Sequence, residues 1–264
     1  MSPPSNEARL FELSHLFSDS EIKAVFSMFH GTGKGNITDE RNRLAELAEF
    51  PTNILAYGHQ IHSSIVNVVD TVGHVGEGDG LITKTTEVVL TIQVADCVPL
   101  FVHCKDSRTI GLFHAGWRGA SAGIIEEGIS KMVSQFNAAP NQMEAVLGPS
   151  IGPCCYEIRG DVSTYFSDVF LRKKNKEQSY LDLPGFVKAK LISSGLSAEN
   201  VSLDGRCTFC SEQNGTRKKT TSPPVNTVFT RLHIPMQRMT QPTTVSRTRR
   251  HHSGSTFFRA TLCR

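Results

Sequence analysis

Two apolar, β-branched runs in the middle of the chain each end at a chemically reactive side chain. The run Val88–Val94 is followed by Asp96 and Cys97, and the run Thr109–Phe113 is followed by His114. Runs of this length and composition predict buried β-strands. Because α/β folds place functional groups at strand ends and in the loops that follow, we expect this thiol and this imidazole to belong to one site.

The apolar spacing changes from strand-like to helical after the second run. The segment Gly116–Gly119 reads Gly-Trp-Arg-Gly, and the apolar residues between Ile125 and Phe136 recur at helical spacing. A helix N-terminus binds anions through its free N–H groups, and Arg118 adds a bidentate donor, so this segment is a candidate phosphate site. A tight turn with Trp117 packed in the core explains the same residues equally well.

Strand-like and helical segments alternate along the rest of the chain. This alternation predicts a single-domain α/β sandwich with mixed sheets. The other predicted strands are Val25–Phe29, Asn53–Tyr57, Ile65–Val69, Ala145–Leu147 and, as the last one, Val201–Leu203. The other predicted helices are one capped by Thr38 and running to about Glu49, one starting near Gly160 or Asp161, and one through Val187 to Gly195.

The net charge of +3 is unevenly distributed along the chain. From Asn214 to the end there are ten Lys or Arg and no acidic residue, so the remainder carries 18 basic and 25 acidic residues. This tail is also rich in Ser, Thr and Pro, which is typical of disordered chain more than of a nucleic-acid-binding surface. We therefore predict an N-terminal extension over 1–24, one domain over 25–213, and a basic tail over 214–264 that does not pack on the core.

The composition narrows the class of protein further. A hydrophobic fraction of 39% is sufficient for a sizeable core. The chain has no apolar run long enough to span a membrane, and its first residues lack the pattern of a signal peptide. The seven cysteines are an odd number without the spacing of a secreted disulfide framework. These features predict a cytoplasmic protein with reduced thiols, and they leave the oligomeric state open.

Several imidazole and thiol side chains are candidates for a metal site. Catalytic zinc takes three protein ligands and keeps one open position, and the Asp96 carboxylate is suited to orient a ligand or a bound water. A catalytic pair of Cys97 with His114 is an alternative interpretation of the same region. The candidate ligands are His59, His62, Cys97, His103, Cys104 and His114.

Two other motifs have weaker signals. Cys207-x-x-Cys210 is half of a structural zinc site, and Cys154-Cys155 is the pair available to complete it. The glycine-rich segment His30–Gly35 matches neither the dinucleotide fingerprint nor the P-loop, so a flexible connection is the better interpretation.

Four ordered blocks of the sequence resemble one known family. The blocks are Gln60–His62, Ala95–Pro99, His114–Gly119 and Gly148–Glu157, and they resemble signature blocks of the laccase-domain family, also called the YfiH or polyphenol-oxidase family. Later segments, Leu181–Leu183 and Cys207–Cys210, match as well. The resemblance covers about residues 25–213 and implies the family's α/β fold.

The resemblance implies specific roles for individual residues. It implies a zinc ion held by His62, Cys97 and His114, with His59, His103 and Cys104 outside the site. It places the family's active-site arginine at Arg41, although Glu40 replaces the family's asparagine and Arg43 is the alternative. The predicted site is therefore catalytic Arg41, Cys97 and Asp96, substrate-binding Arg41, Arg118 and Gln60, and metal-binding His62, Cys97 and His114.

The activity that the resemblance implies is phosphorolysis of purine nucleosides. The substrates are adenosine, inosine, guanosine and methylthioadenosine, phosphate is the co-substrate, and adenosine deamination is a possible second activity. A copper-dependent polyphenol oxidase is the first alternative, because a His₂Cys set also suits copper. A catalytically impaired binding protein is the second. The family's closing block is missing after Cys210, which indicates an altered gene end and is expected to leave a sheet edge unpaired.

Overall fold

The computed structural model describes residues 9–28, 37–210 and 226–232. The glycine-rich segment 30–35 and most of the basic tail lie outside this part. None of the helices within it is long and apolar enough to cross a membrane.

The secondary structure is mainly β. The strands are β1 (Arg9–Glu12), β2 (Ile22–Met28), β3 (Leu55–His59), β4 (Val66–Val68), β5 (Gly73–Glu77), β6 (Gly80–Thr83), β7 (Val89–Val94), β8 (Val98–Cys104), β9 (Thr109–Ala115), β10 (Met143–Leu147), β11 (Glu157–Arg159), β12 (Leu171–Lys173), β13 (Gln178–Leu181), β14 (Val201–Leu203) and β15 (Asn226–Leu232). The helices are α1 (Ile37–Leu47), α2 (Trp117–Ser121), α3 (Ile124–Phe136), α4 (Gly160–Ser163) and α5 (Leu183–Ser193).

Two six-stranded sheets form the centre of the molecule. Their strand orders are β1-β2-β15-β7-β3-β5 and β14-β10-β8-β9-β6-β4, and a small third sheet has the order β11-β13-β12. Parallel and antiparallel pairs occur in both large sheets. The predicted mixed-sheet α/β sandwich is confirmed.

The alternation of side chains along β8 shows why this strand is apolar throughout. Phe101 packs with residues of the first sheet such as Phe26 and Leu90. Its neighbours Leu100 and Val102 point to the other face and pack with α3 and α5. A strand that is buried on both faces has no polar positions, unlike a strand with one solvated face. The second sheet therefore lies between the first sheet and the helices α3 and α5.

The outer face of the first sheet is covered by α1. Leu44 and Ala45 pack with Val89 of β7 and Phe229 of β15. The helix begins at Ile37, one residue ahead of the predicted cap Thr38. The four layers are thus α1, the first sheet, the second sheet, and the pair α3 and α5.

The last strand corrects two predictions about the tail. Asn226–Leu232 pairs with both β2 and β7, so it lies inside the first sheet, and Val201–Leu203 is not the last strand. Val228 and Phe229 are fully buried on its two faces. The prediction that the chain after Asn214 does not pack on the core is therefore wrong for these seven residues. They supply a central strand of this sheet, where an unpaired edge was expected.

The N-terminal boundary also differs from the prediction. Position 25 falls inside β2, and β1 forms the edge of the first sheet by pairing antiparallel with β2. Residues 9–24 thus contribute to the sandwich.

The strand β8 was not predicted at all. Pro99 lies at its second position, opposite His114, and prolines in sheets are confined to such strand starts and to edges.

Candidate functional site

The hairpin formed by β8 and β9 brings Cys97 and His114 together. Val98 pairs with Ala115 and Pro99 pairs with His114, so the turn that holds Cys97 lies beside the end of β9. The loop after β3 carries His62 to the same place. One ligand atom from each of the three side chains lies within 4.8 Å of the others, and the two imidazole rings are 4.8 Å apart. We call His62, Cys97 and His114 the His/Cys site.

Asp79 connects the two histidines, and it was not predicted. Its carboxylate is fully buried, and Oδ1 lies 2.8 Å from Nδ1 of His114. The backbone N–H groups of Ile61, His62 and Ser63 donate to the same carboxylate at 2.7–3.1 Å. A carboxylate on the second ring nitrogen fixes the orientation and tautomer of a metal-binding histidine. Asp79 therefore orients His114 directly and His62 through its loop.

The backbone around the site is adapted to this arrangement. His62 adopts a left-handed conformation with φ of 59°, which non-glycine residues rarely do, and the three N–H bonds to Asp79 hold it there. Gly116 leaves space for the side chains, because a Cβ at this position would lie 2.8 Å from Sγ of Cys97. The same Cβ would lie 3.2 Å from Cδ2 of His62.

The three side chains alter the titration of one another. Burial raises the pKa of the Cys97 thiol, but hydrogen bonds with His114 and His62 outweigh it and lower the pKa to about 7. Burial lowers the pKa of His114, but Asp79 and Cys97 raise it to about 9. The thiolate form of Cys97, which is the form that binds metals, is therefore accessible at neutral pH.

Asp96 has a different partner from the one predicted. Its Oδ1 accepts a hydrogen bond from Oγ1 of Thr208 at 2.7 Å. Asp79, and not Asp96, is the carboxylate that orients a histidine of the site. Asp96 instead ties the turn before β8 to the segment that follows β14.

Tyr156 is a second neighbour of the site that sequence reasoning missed. Burial and the charges of Cys97 and Asp96 raise the pKa of its phenol, and Arg118 lowers it. Its hydroxyl therefore stays protonated at neutral pH and is available as a hydrogen-bond donor. Tyr156 stands within one of the resembling blocks, but only the folded loop brings it near Cys97.

The Gly-Trp-Arg-Gly segment is itself the start of a short helix. Gly116 precedes α2, which has only five residues, and Gly123 separates it from α3 with φ of 94°. The half-buried Trp117 packs against the core and against the ring of Tyr165, 5.5 Å away. Arg118 is exposed and lies over the Trp117 ring at 4.5 Å. A helix this short gives little support to the predicted anion site at its N-terminus, whereas Arg118 remains available to a ligand.

The side-chain contacts of Gln60 give it a positioning function, and its predicted contact with the substrate stays a prediction. Its side-chain amide donates to the carbonyl oxygen of Gln93 at 2.7 Å and accepts the backbone N–H of Gln93 at 2.7 Å. These two bonds attach the loop that carries His62 to β7.

Arg41 lies on α1 and its side chain is buried. It is 6% exposed, and its guanidinium lies over the ring of Tyr57 at 3.7 Å. Within the described residues its Nε and Nη1 have no hydrogen-bond partner. Burial lowers the pKa of Arg41, with Tyr57 opposing the shift. Arg43, by contrast, is exposed and forms an ion pair with Glu40 at 3.0 Å.

The remaining candidate ligands lie elsewhere. His103 is buried and pairs with Asp19 at 3.8 Å, and Cys104 is part of the apolar core. His59 is exposed at the end of β3. None of these three belongs to the His/Cys site.

Comparison with known proteins places this geometry in a family. The family described as multi-copper polyphenol oxidoreductase laccase matches residues 26–215. The chain is 30% identical over 200 residues to purine nucleoside phosphorylase YlmD of Geobacillus stearothermophilus, covering 69% of this chain and 73% of YlmD. It is 36% identical over 146 residues to purine nucleoside phosphorylase RP494 of Rickettsia prowazekii, covering 52% of this chain and 60% of RP494.

The fold supports the same relationship. The crystal structure of YlmD from Geobacillus stearothermophilus superimposes with a TM-score of 0.72 at 25% identity, over 81% of this chain and 93% of YlmD. The names of the relatives support the interpretation of the chain as an enzyme. The chain belongs to the multi-copper polyphenol oxidoreductase laccase family, the laccase-domain family that its sequence blocks resemble.

Proposed function

We propose that this chain is a zinc-dependent purine nucleoside phosphorylase. The substrates are purine nucleosides such as adenosine, inosine, guanosine and methylthioadenosine, and the products are the free base and a ribose 1-phosphate. The observation that carries the proposal is that one chain holds both an oriented His/Cys site and a buried arginine that lacks an anionic partner among the described residues. The names of the similar proteins give the same reaction class.

The His/Cys site fits a catalytic metal ion. Two imidazoles and a thiolate leave one position open, as catalytic zinc requires, and Asp79 supplies the usual carboxylate behind a ligand histidine. Zinc is proposed over copper because no redox step is needed in phosphorolysis. A bound zinc ion supplies Lewis acidity next to the substrate.

Arg41 is proposed to bind phosphate. A buried charge without an anionic partner is costly, so a buried guanidinium whose Nε and Nη1 have no hydrogen-bond partner among the described residues is suited to an anionic ligand. Arginine binds phosphate in a bidentate manner, and the Tyr57 ring holds the planar group in place. Positioned charge of this kind both orients phosphate for attack at C1′ and stabilises charge in the transition state.

Three further side chains are proposed to act on the nucleoside. The Tyr156 hydroxyl is a protonated donor near Cys97, and Arg118 is the exposed cation beside it. Asp96 adjoins Cys97, and its hydrogen bond from Thr208 fixes the turn before β8. The Tyr156 hydroxyl and Arg118 are suited to hold the base and to stabilise the negative charge that develops on it as the glycosidic bond breaks, and Asp96 is suited to accept a hydrogen bond from the nucleoside.

The copper oxidase alternative has less support from the site. The described residues contain two groups of potential metal ligands, and only the His/Cys site includes histidines. A multicopper oxidase needs several copper centres with many histidines. The binding-protein alternative rested on a missing sheet strand, and β15 occupies the centre of the first sheet.

The test is a nucleoside cleavage assay on the purified full chain. Adenosine and inosine are incubated with and without phosphate, and the bases are separated by chromatography. Adenine and hypoxanthine should form only with phosphate, and inosine formed from adenosine without phosphate would report the deaminase activity. Phenol oxidation by the copper-loaded protein, without nucleoside cleavage by the zinc-loaded protein, would overturn the proposal.

A further inference from the structure

Four cysteines meet in a second cluster outside the His/Cys site. Cys154 and Cys155 lie in the loop between β10 and β11, and Cys207 and Cys210 lie after β14. All four sulfur atoms are within 4.8 Å of one another, and those of Cys154 and Cys210 are 3.4 Å apart. We call these residues the four-cysteine cluster. The structure thus brings the second pair to the Cys-x-x-Cys half-site.

The topology explains why the two loops meet. The strands β10 and β14 are parallel neighbours, so their carboxyl ends lie at the same edge of the second sheet. The segments that follow β10 and β14 remain paired beyond that edge. Thr208 N–H donates to the Ser150 carbonyl at 2.9 Å, and Ser150 N–H donates to the Arg206 carbonyl at 3.3 Å. Each loop then delivers two thiols.

The backbone around Cys207 is arranged for a thiolate. The N–H of Gly152 donates to its sulfur at 3.2 Å, and the N–H groups of Phe209 and Cys210 donate to it as well. Hydrogen bonds from the backbone to sulfur stabilise a metal-bound thiolate. Gly152 has little room for a side chain, because a Cβ there would lie 3.3 Å from the Cys154 sulfur.

We propose that the four-cysteine cluster binds one structural zinc ion through four thiolates. Four cysteines with no open position are the donor set of a closed, tetrahedral zinc site. With zinc–sulfur bonds of about 2.3 Å, tetrahedral geometry separates the sulfurs by about 3.8 Å. The observed separations, 3.4 Å between the sulfurs of Cys154 and Cys210 and at most 4.8 Å for any pair, bracket this value.

This zinc ion would also stabilise the turn that carries Cys97 of the His/Cys site. Thr208, inside the Cys-x-x-Cys loop, donates to the Asp96 carboxylate at 2.7 Å. Ile151, in the other loop, donates its N–H to the Asp96 carbonyl at 2.9 Å. Asp96 directly precedes Cys97. Both loops of the cluster therefore hold the turn that presents the Cys97 ligand, and the cluster acts as a positioning element.

The test is metal content of the full chain purified with its thiols reduced. Wild-type protein should carry two zinc ions per chain, and Cys154→Ser should carry one, because serine is a poor zinc ligand. Cys154→His is the matched control and should keep two, since imidazole binds zinc. Cys154 is exposed, so neither change threatens the core, and circular dichroism checks that each variant is folded.

A second variant separates this inference from the proposed function. His114→Ala should lose the zinc ion of the His/Cys site and keep the ion that depends on Cys154. Wild-type protein without nucleoside cleavage, but with zinc lost in Cys154→Ser, would contradict only the phosphorylase proposal. Equal zinc in wild type and Cys154→Ser, or a Cys154–Cys210 disulfide in the intact mass of zinc-free protein, would overturn the four-cysteine zinc site.

Discussion

The Asp79 carboxylate lies 2.8 Å from Nδ1 of His114 and also accepts the backbone N–H of His62 at 3.0 Å. One buried carboxylate thus determines the ring orientation of one histidine and the backbone conformation of the other. Both histidines are too far from Asp79 in the sequence to meet it within one helix or strand. Only the folded sheets bring the three residues together. The arrangement of the His/Cys site depends on it.

Replacing Asp79 with Asn should weaken zinc binding at the His/Cys site by about 10–100-fold, the usual effect of losing a carboxylate behind a ligand histidine. A competitive chelator titration measures the affinity. The exposed Asp70→Asn is the matched control and should bind zinc like wild type. Unchanged affinity in Asp79→Asn would show that the carboxylate does not orient the ligands.

The same variant should change the acid stability of the protein. Burial opposes the shift, but donors from His114 and Ser63 lower the pKa of Asp79 from 3.8 to about 2. A depressed pKa contributes stability above pH 3.8 that is lost as the pH falls through 2. Urea unfolding should therefore show wild type more stable than Asp79→Asn near pH 5, with the difference narrowing below pH 3.8. A difference that grows as the pH falls would contradict this assignment.

Cys97 in the metal-free protein should react with iodoacetamide along a shifted pH profile. Because hydrogen bonds with the two histidines lower its pKa to about 7, its thiolate increases as the pH rises through 7. Peptide mapping by mass spectrometry isolates this cysteine from the other six. A midpoint near the ordinary value of 9.0 would show that the histidines do not contact the sulfur. His114→Ala should move the midpoint upward.

Arg41→Met tests the buried arginine without removing its bulk. Because the guanidinium is buried and two of its donors lack a partner in the described part of the chain, an apolar residue of similar length should leave the melting temperature unchanged or raise it. Phosphorolysis should fall about a hundredfold or more, with a higher KM for phosphate. Arg43→Met, at the exposed neighbour, should resemble wild type in both. Loss of activity in Arg43→Met alone would reassign the phosphate ligand.

Phe229→Ala tests whether the strand β15 stabilises the fold. Phe229 is fully buried and lies 5.5 Å from the Phe50 ring, so its truncation should cost about 3–5 kcal/mol of unfolding free energy. Val169→Ala, at a side chain that is 81% exposed, should cost less than about 0.5 kcal/mol. Chemical denaturation measures both. A chain shortened at residue 213 that keeps wild-type stability would show that β15 is dispensable.

Local patterns predict part of this molecule and miss the rest for physical reasons. The strands before Cys97 and His114 have strong β-branched runs, so their existence and the meeting of their ends were predictable. Asp79 is a single residue in a glycine-rich turn, and its importance arises from partners 16–35 positions away.

The burial of Arg41 and the strand β15 in the tail were not predicted, for a different reason. Arg41 lies on the same face of α1 as the buried Leu44 and Ala45, and Tyr57 from a distant strand covers it, a contact that local sequence does not show. Five of the seven residues of β15 are apolar or β-branched, but their composition was averaged into that of a long basic tail, although the two faces of the strand are buried by different layers. The average composition of a long segment does not reveal a short strand such as β15 within it.

Whether this chain is a phosphorylase is tested most directly by following the phosphate itself. The zinc-loaded full chain is incubated with inosine and inorganic phosphate, and phosphorus-31 NMR is recorded alongside chromatography of the base. We expect that a ribose 1-phosphate resonance grows in step with hypoxanthine, and that Arg41→Met and His114→Ala both suppress it. Unchanged inosine, or hypoxanthine released with free ribose and no phosphate ester, would contradict a phosphorylase.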